Sequence, residues 1–108
     1  MRTVLGWVIM DGMIKQSRGA TSAERKVTFV LPAGEPAGTV SVVGDFNDWT
    51  PGRHILRKRS NGTRSVAITV PAGATVKFRY LGEGGYWFDD THAHALTDEG
   101  GLVQVRDV

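Results

Sequence analysis

Arg64-Ser65-Val66-Ala67-Ile68-Thr69-Val70-Pro71-Ala72-Gly73-Ala74-Thr75-Val76-Lys77-Phe78-Arg79-Tyr80-Leu81 holds two runs of alternating character and the reversal between them. Side chains of a strand point alternately to its two faces, so Val66, Ile68 and Val70 share one side, and so do Val76, Phe78 and Tyr80. Pro71-Ala72-Gly73 supplies the fixed and positive φ values that a reversal requires. In the second run Lys77 and Arg79 fall opposite Phe78, which turns them toward water.

The same grammar extends in both directions. Lys26 to Leu31 puts Val27, Phe29 and Leu31 on one side, and further β-rich runs cover Thr39 to Val43, His54 to Lys58, Tyr86 to Phe88 and Leu102 to Arg106. Pro32-Ala33-Gly34, Pro51-Gly52, Asn61-Gly62 and Gly82-Glu83-Gly84-Gly85 separate them. No segment sustains a helical period, and there is no internal repeat or second domain. About seven short antiparallel strands with this spacing predict an all-β, immunoglobulin-like β-sandwich whose core is built from those inward residues.

At 108 residues the chain is long enough to bury roughly 65% of its unfolded surface in one domain. It contains no cysteine, which removes disulfides and thiolate metal sites and fits a reducing cytoplasm. Thirteen Lys and Arg against eleven Asp and Glu leave a formal charge of +2, too small to imply a nucleic-acid or membrane partner. The apolar run Val4 to Met10 is interrupted by Asp11-Gly12. An export signal needs about 7 to 15 apolar residues and then a small-residue cleavage site, and a membrane span about 20. Residues 15 to 25 are polar and rich in small side chains, which predicts a flexible lead-in over residues 1–25 and a domain over 26–108. With Met13 as an alternative start, residues 1–12, including Trp7, would be an added segment.

Val42-Val43-Gly44-Asp45-Phe46-Asn47-Asp48-Trp49 runs an apolar strand into a polar turn that ends on a tryptophan, just before Thr50-Pro51-Gly52. That context predicts a displayed indole. An indole offers an apolar face with an N–H at its edge, which suits a ligand of both characters such as a sugar ring. Trp87, between Tyr86 and Phe88, projects away from both. Two outward indoles beside Lys77 and Arg79 would form a shallow groove, with the rings stacking on sugar C–H faces and the cations donating to hydroxyls. The plainer alternative makes Trp87 a rim residue of the core and Lys77 a solvated charge.

Other chemistries find less support. Asp89 and Asp90 are neighbours on a strand and face opposite ways, whereas a retaining glycosidase needs carboxyls about 5 to 5.5 Å apart across one bond. No catalytic residue is therefore predicted. One of this pair is suited to capping the turn into Thr91, and Asp45 and Asp48 to fixing the loop that carries Trp49. His92-Ala93-His94 with Asp90 lacks a fourth ligand, so no metal is predicted, nor any other cofactor. Arg57-Lys58-Arg59, with Arg53 and Arg64, flanks Asn61-Gly62 without interleaved aromatics, which predicts a charged hairpin tip guarding a sheet edge. Asn61-Gly62-Thr63 fits a glycosylation acceptor, but an Asn-Gly hairpin turn accounts for it.

Val42 to Trp49, then Val66-Ala67-Ile68-Thr69-Val70-Pro71-Ala72-Gly73, then Val76-Lys77-Phe78-Arg79-Tyr80 and Tyr86-Trp87-Phe88-Asp89-Asp90 form an ordered series. It resembles the isoamylase N-terminal, early-set family of glycogen-binding domains (carbohydrate-binding module family 48), also found in the β subunits of AMP-activated protein kinase. The resemblance spans about residues 26 to 106. It implies an immunoglobulin-like sandwich that binds α-1,4-linked glucans such as glycogen, starch or maltooligosaccharides and has no catalytic machinery. By position, Trp49 and Trp87 match the family's stacking tryptophans, Lys77 its hydrogen-bonding lysine, and Leu96 the leucine that sits against the sugar ring. Glycogen binders commonly carry an Asn pair before the last strand; Gly100-Gly101 stands there in this chain and removes amides that would meet hydroxyls. Some members are appended to α-glucan enzymes as spacers. The competing expectation is thus a protein-interaction or structural module that docks on a glucan-metabolising enzyme, or on a second copy, through the aromatic patch or Val4 to Met10.

Overall fold

The two alternating runs around Pro71-Ala72-Gly73 both form strands, yet they lie in opposite layers of the molecule. The computed structural model describes residues 9–10, 13–34, 36–90 and 93–106. Among these the strands are β1 (Ile9–Met10), β2 (Met13–Arg18), β3 (Glu24–Pro32), β4 (Ser41–Gly44), β5 (Arg57–Lys58), β6 (Thr63–Pro71), β7 (Thr75–Gly82), β8 (Tyr86–Asp90), β9 (Ala95–Thr97) and β10 (Gly100–Gln104). One sheet runs β2-β3-β6-β5, and the other runs β1-β8-β7-β10-β9 with β4 also paired to β7. Every pairing is antiparallel except the short parallel one between β1 and β8. The predicted antiparallel β-sandwich is the observed fold.

Strand β7 organises the second of these sheets. Tyr80 is paired with both Val42 and Phe88, and Phe78 with both Gly44 and Gly101. One edge of β7 therefore belongs to β4, and the other is divided between β8 and β10. Its inner row, Val76, Phe78 and Tyr80, meets Val27, Phe29, Leu31, Ile68 and Val70 of the facing sheet. The rings of Phe29 and Phe78 lie 4.8 Å apart, and those of Tyr80 and Phe88 5.1 Å. Fully burying side chains of this size contributes about 1.5–3 kcal/mol each, which is why the period-two pattern is decisive for the fold.

Three features depart from expectation. Met13–Arg18 is a strand, paired with β3 from Met13 opposite Val30 to Arg18 opposite Arg25, so much of the expected flexible lead-in is built into the sheet. Only Ile14 of β2 packs on the core, and the strand is held by its backbone ladder, which leaves no apolar signature. Its Gln16 side chain also bridges the layers, donating to the Gln104 carbonyl at 3.1 Å and accepting the Arg106 N–H at 2.9 Å. Of the Val4 to Met10 run, residues 4–8 lie outside the described residues.

His54 to Lys58 was expected as a single strand and instead divides between the sheets. His54 and Leu56 bond to Val42 and Val40, whereas Arg57 and Lys58 pair with Ser65 and Arg64 of β6. Arg64, expected at a charged hairpin tip, is buried. Its guanidinium donates to the carbonyls of Gly38 at 2.8 Å and Pro36 at 2.6 Å, and burial lowers its pKa. Arg57 and Lys58 are exposed on the edge strand β5, where charge discourages further strand addition. Among the described residues no helix is long and apolar enough to cross a membrane.

Candidate functional site

Where β4 ends, the chain enters a short 3-10 turn at Asp45–Asn47, and the side chain of Asn47 turns inward. Its Oδ1 accepts the Gly44 N–H at 3.1 Å, while its Nδ2 donates to the Val42 carbonyl at 3.1 Å and to His54 Nδ1 at 3.0 Å. An amide nitrogen only donates, so His54 accepts through Nδ1 and carries its proton on Nε2. Phe46 tucks under the turn, stacked 6.1 Å from Phe29. Asp45 Oδ2 accepts the backbone N–H of Lys77 at 3.3 Å and ties the turn to β7.

Asp48 and Trp49 follow, both in the left-handed region at φ 55°. A bulky residue is rarely found there, at a cost of about 1–2 kcal/mol. The geometry is held by backbone bonds, Trp49 N–H to the Gly44 carbonyl at 2.8 Å and Thr50 N–H to the Asn47 carbonyl at 3.1 Å. Asn47 is the anchor of this loop, so Asn47→Ala is expected to cost about 1–3 kcal/mol by leaving buried backbone groups unpaired. Urea unfolding reads that loss, and a blue or red shift of Trp49 emission reads the accompanying loosening of the loop.

Trp49, Asp45, Lys77, Arg79 and Glu99 together line an open cleft of about 470 Å³. Trp49 is 38% exposed and Trp87 47%, so neither residue is sealed in the interior. Lys77, Arg79 and Leu81 form the outer row of β7, and Trp87 is in register with Leu81. Trp87 thus stands on the face of Lys77, roughly 13 Å farther along the strand. Register also sets Leu96 apart: it pairs with Gly101, which itself lies opposite Phe78, so it falls on the side of the core row. Leu96 is half exposed on the edge strand β9 and does not line the cleft of Trp49 and Lys77.

The cations are not free in solution. Lys77 Nζ lies 2.6 Å from Glu99 Oε1, an exposed ion pair whose hydrogen bond and charge raise the lysine pKa and lower that of the glutamate. Arg79 donates from Nη2 to the Asp98 carbonyl at 2.9 Å, and its Nε lies 3.5 Å from Asp89 Oδ1. The sequence carries no local sign of the Glu99 contact, because it spans twenty-two residues and depends on the β9–β10 hairpin folding back along β7. Gly100-Gly101 gives that hairpin its close approach. Gly100 has φ +121°, and a Cβ on it would lie 2.5 Å from the Phe78 carbonyl oxygen and 2.8 Å from Arg79 Cγ.

The remaining candidates separate as alternation requires. Asp90 is buried, and one of its interactions is a 2.8 Å hydrogen bond from the Tyr80 hydroxyl, whereas Asp89 is on the outer face with Arg79. The pair therefore does not converge on one bond. His94 Nδ1 accepts the Gln104 N–H at 2.9 Å, which commits that lone pair to the backbone; His92 lies outside the described residues. No three His, Asp or Glu side chains among the described residues are grouped to hold a metal ion.

No family model matches the chain. Among curated proteins it is 47% identical over 62 residues, 56% of its length, to a 1,4-alpha-glucan branching enzyme GlgB of Rhodopseudomonas palustris (strain HaA2), and covers 8% of that enzyme. It is 45% identical over 51 residues, 45% of its length, to the 1,4-alpha-glucan branching enzyme GlgB 1 of Rhizobium johnstonii, covering 7% of it. It is 44% identical over 46 residues, 42% of its length, to GlgB 2, the branching enzyme of Xanthomonas campestris pv. campestris (strain 8004), covering 6% of it. The chain thus spans less than a tenth of the length of these relatives.

Proposed function

We propose that this chain is a non-catalytic module that binds α-glucan chains, with Trp49 and Lys77 forming the primary contact and Trp87 extending it along the same sheet face. The observation that carries the reading is the cleft itself: an indole held out by strained backbone, beside an ammonium, a guanidinium and two carboxylates. Such a surface offers a stacking plane for the C–H face of a sugar together with cationic donors for its hydroxyls. Partial similarity to enzymes named for 1,4-α-glucan branching supports the ligand class. Leu96 has a lesser part in this reading, because register turns it from the cleft. The opening is shallow and few contacts offset the ordering of a flexible chain, so affinity falls in the micromolar to millimolar range, about −8 to −4 kcal/mol.

Titration with maltoheptaose tests this, read by tryptophan emission and by calorimetry. Wild type is expected to saturate, and Trp49→Ala to bind about tenfold or more weakly, a loss of about 1.4 kcal/mol or more, with unchanged circular dichroism. Wild-type retention on glycogen that survives Trp49→Ala at full strength refutes the assignment.

A second reading, docking on the remainder of a glucan-metabolising enzyme, draws on Leu96 and Met13, which are exposed apolar side chains away from the cleft. Under that reading a Leu96→Asp variant fails to associate with such an enzyme while binding maltoheptaose normally.

A further inference from the structure

Resting on the glucan-binding reading, we infer that Glu99 is an affinity-setting residue of the cleft: in the free protein it holds the Lys77 ammonium, and it competes with a sugar hydroxyl for that group. Both side chains line the same opening as Trp49, and their 2.6 Å contact spans it from β7 to the tip of the β9–β10 hairpin. A hydroxyl reaching Lys77 Nζ meets a carboxylate already there.

The tip is fastened at two points. Besides the Glu99 contact, Arg79 Nη2 holds the Asp98 carbonyl, and the turn is closed internally by Thr97 Oγ1 donating to the Gly100 carbonyl and accepting the Glu99 N–H. Both fastenings come from the outer row of β7, so the hairpin tip lies along one wall of the cleft with Trp49 on the other. Release has a partial compensation built in. Asp89 Oδ1 is buried without a hydrogen bond and lies 3.5 Å from Arg79 Nε, so a guanidinium freed from the Asp98 carbonyl has an acceptor waiting on β8.

An exposed ion pair is weak and is screened by salt, which sets the size and the signature of the effect. Glu99→Gln and Glu99→Ala are expected to bind maltoheptaose about two- to fivefold more tightly than wild type. Lys77→Ala should cancel that gain, since the pair no longer exists to be broken. Raising NaCl from about 50 to about 500 mM should tighten wild type toward the Glu99 variants and leave those variants unchanged, a dependence that a merely structural glutamate would not produce. Equal or weaker binding by both Glu99 variants, with Trp49→Ala still impaired, overturns the inference and leaves the glucan reading standing; the weaker result would make Glu99 itself an acceptor for sugar. If neither wild type nor the Glu99 variants bind at about 10 mM sugar, the glucan reading fails and the inference falls with it.

Discussion

Asp90→Ala is expected to lower stability by about 3 kcal/mol, the upper range for unmaking a buried hydrogen bond to a charged acceptor. Asp90 and Tyr80 are both fully buried, and the 2.8 Å bond between them lies inside the aromatic cluster of β7 and β8. Removing the carboxylate leaves the phenol hydroxyl with no water to turn to and opens a cavity beside Phe88. Tyr80→Phe is the gentler partner, because it deletes the donor and leaves Asp90 with its other interactions. Urea unfolding monitored by near-ultraviolet circular dichroism ranks the two; a drop below about 1 kcal/mol for Asp90→Ala would show that the pair contributes no more than an average hydrogen bond.

The same pair makes one contribution to how the fold responds to alkali. Burial foremost, and the Asp90 charge after it, raise the Tyr80 pKa well above its ordinary 10.0. A phenol with a raised folded-state pKa keeps its proton in the native protein while the unfolded chain loses it. Its contribution is therefore complete below about pH 10 and is lost as pH rises beyond that. The midpoint of urea unfolding should hold steady, as far as Tyr80 is concerned, up to that point and then decline. Tyr80→Phe removes this part of the decline.

Gly44→Ala is the second large effect, and it acts through space, not through backbone freedom. Gly44 is extended at φ −166°, a conformation open to any residue. A Cβ placed there would lie 2.3 Å from the Lys77 carbonyl oxygen and 2.6 Å from Phe46 Cε2. One obstacle is backbone in the centre of a sheet and cannot rotate aside, so the cost should reach about 3 kcal/mol, the upper end for overpacking. For a domain of this size that is a fall in Tm on the order of 10–20 °C. Because Gly44 also accepts the Trp49 N–H, the protein that remains folded should bind maltoheptaose poorly. A Gly44→Ala protein with wild-type Tm would mean that β4 and β7 can separate without penalty.

The core of the sandwich is legible in the sequence because a period of two encodes facing directly. Val76, Phe78 and Tyr80 could hardly be placed otherwise, and Lys77 and Arg79 follow from them. The exposure of Trp49 is legible from the turn formers around it. Strand β2 was not, since Lys15, Gln16 and Ser17 rely on ladder bonds and a side-chain bridge to β10 that carry no hydrophobic mark. Nor was the burial of Arg64, whose guanidinium is accommodated by carbonyls twenty-six and twenty-eight residues away. The Glu99 contact with Lys77 and the facing of Leu96 depend on hairpin register, which two glycines and a two-residue turn decide together. Pairings of that kind arise only once the chain has closed on itself.

Trp49 owes its place to the main chain beneath it, which is bent the way glycine prefers. A glycine at that point would relax the loop at once and leave no indole on display there. The scaffold is therefore kept somewhat less sturdy than its own architecture would permit, and any campaign to harden it by selection on heat resistance would tend to erase the displayed indole first.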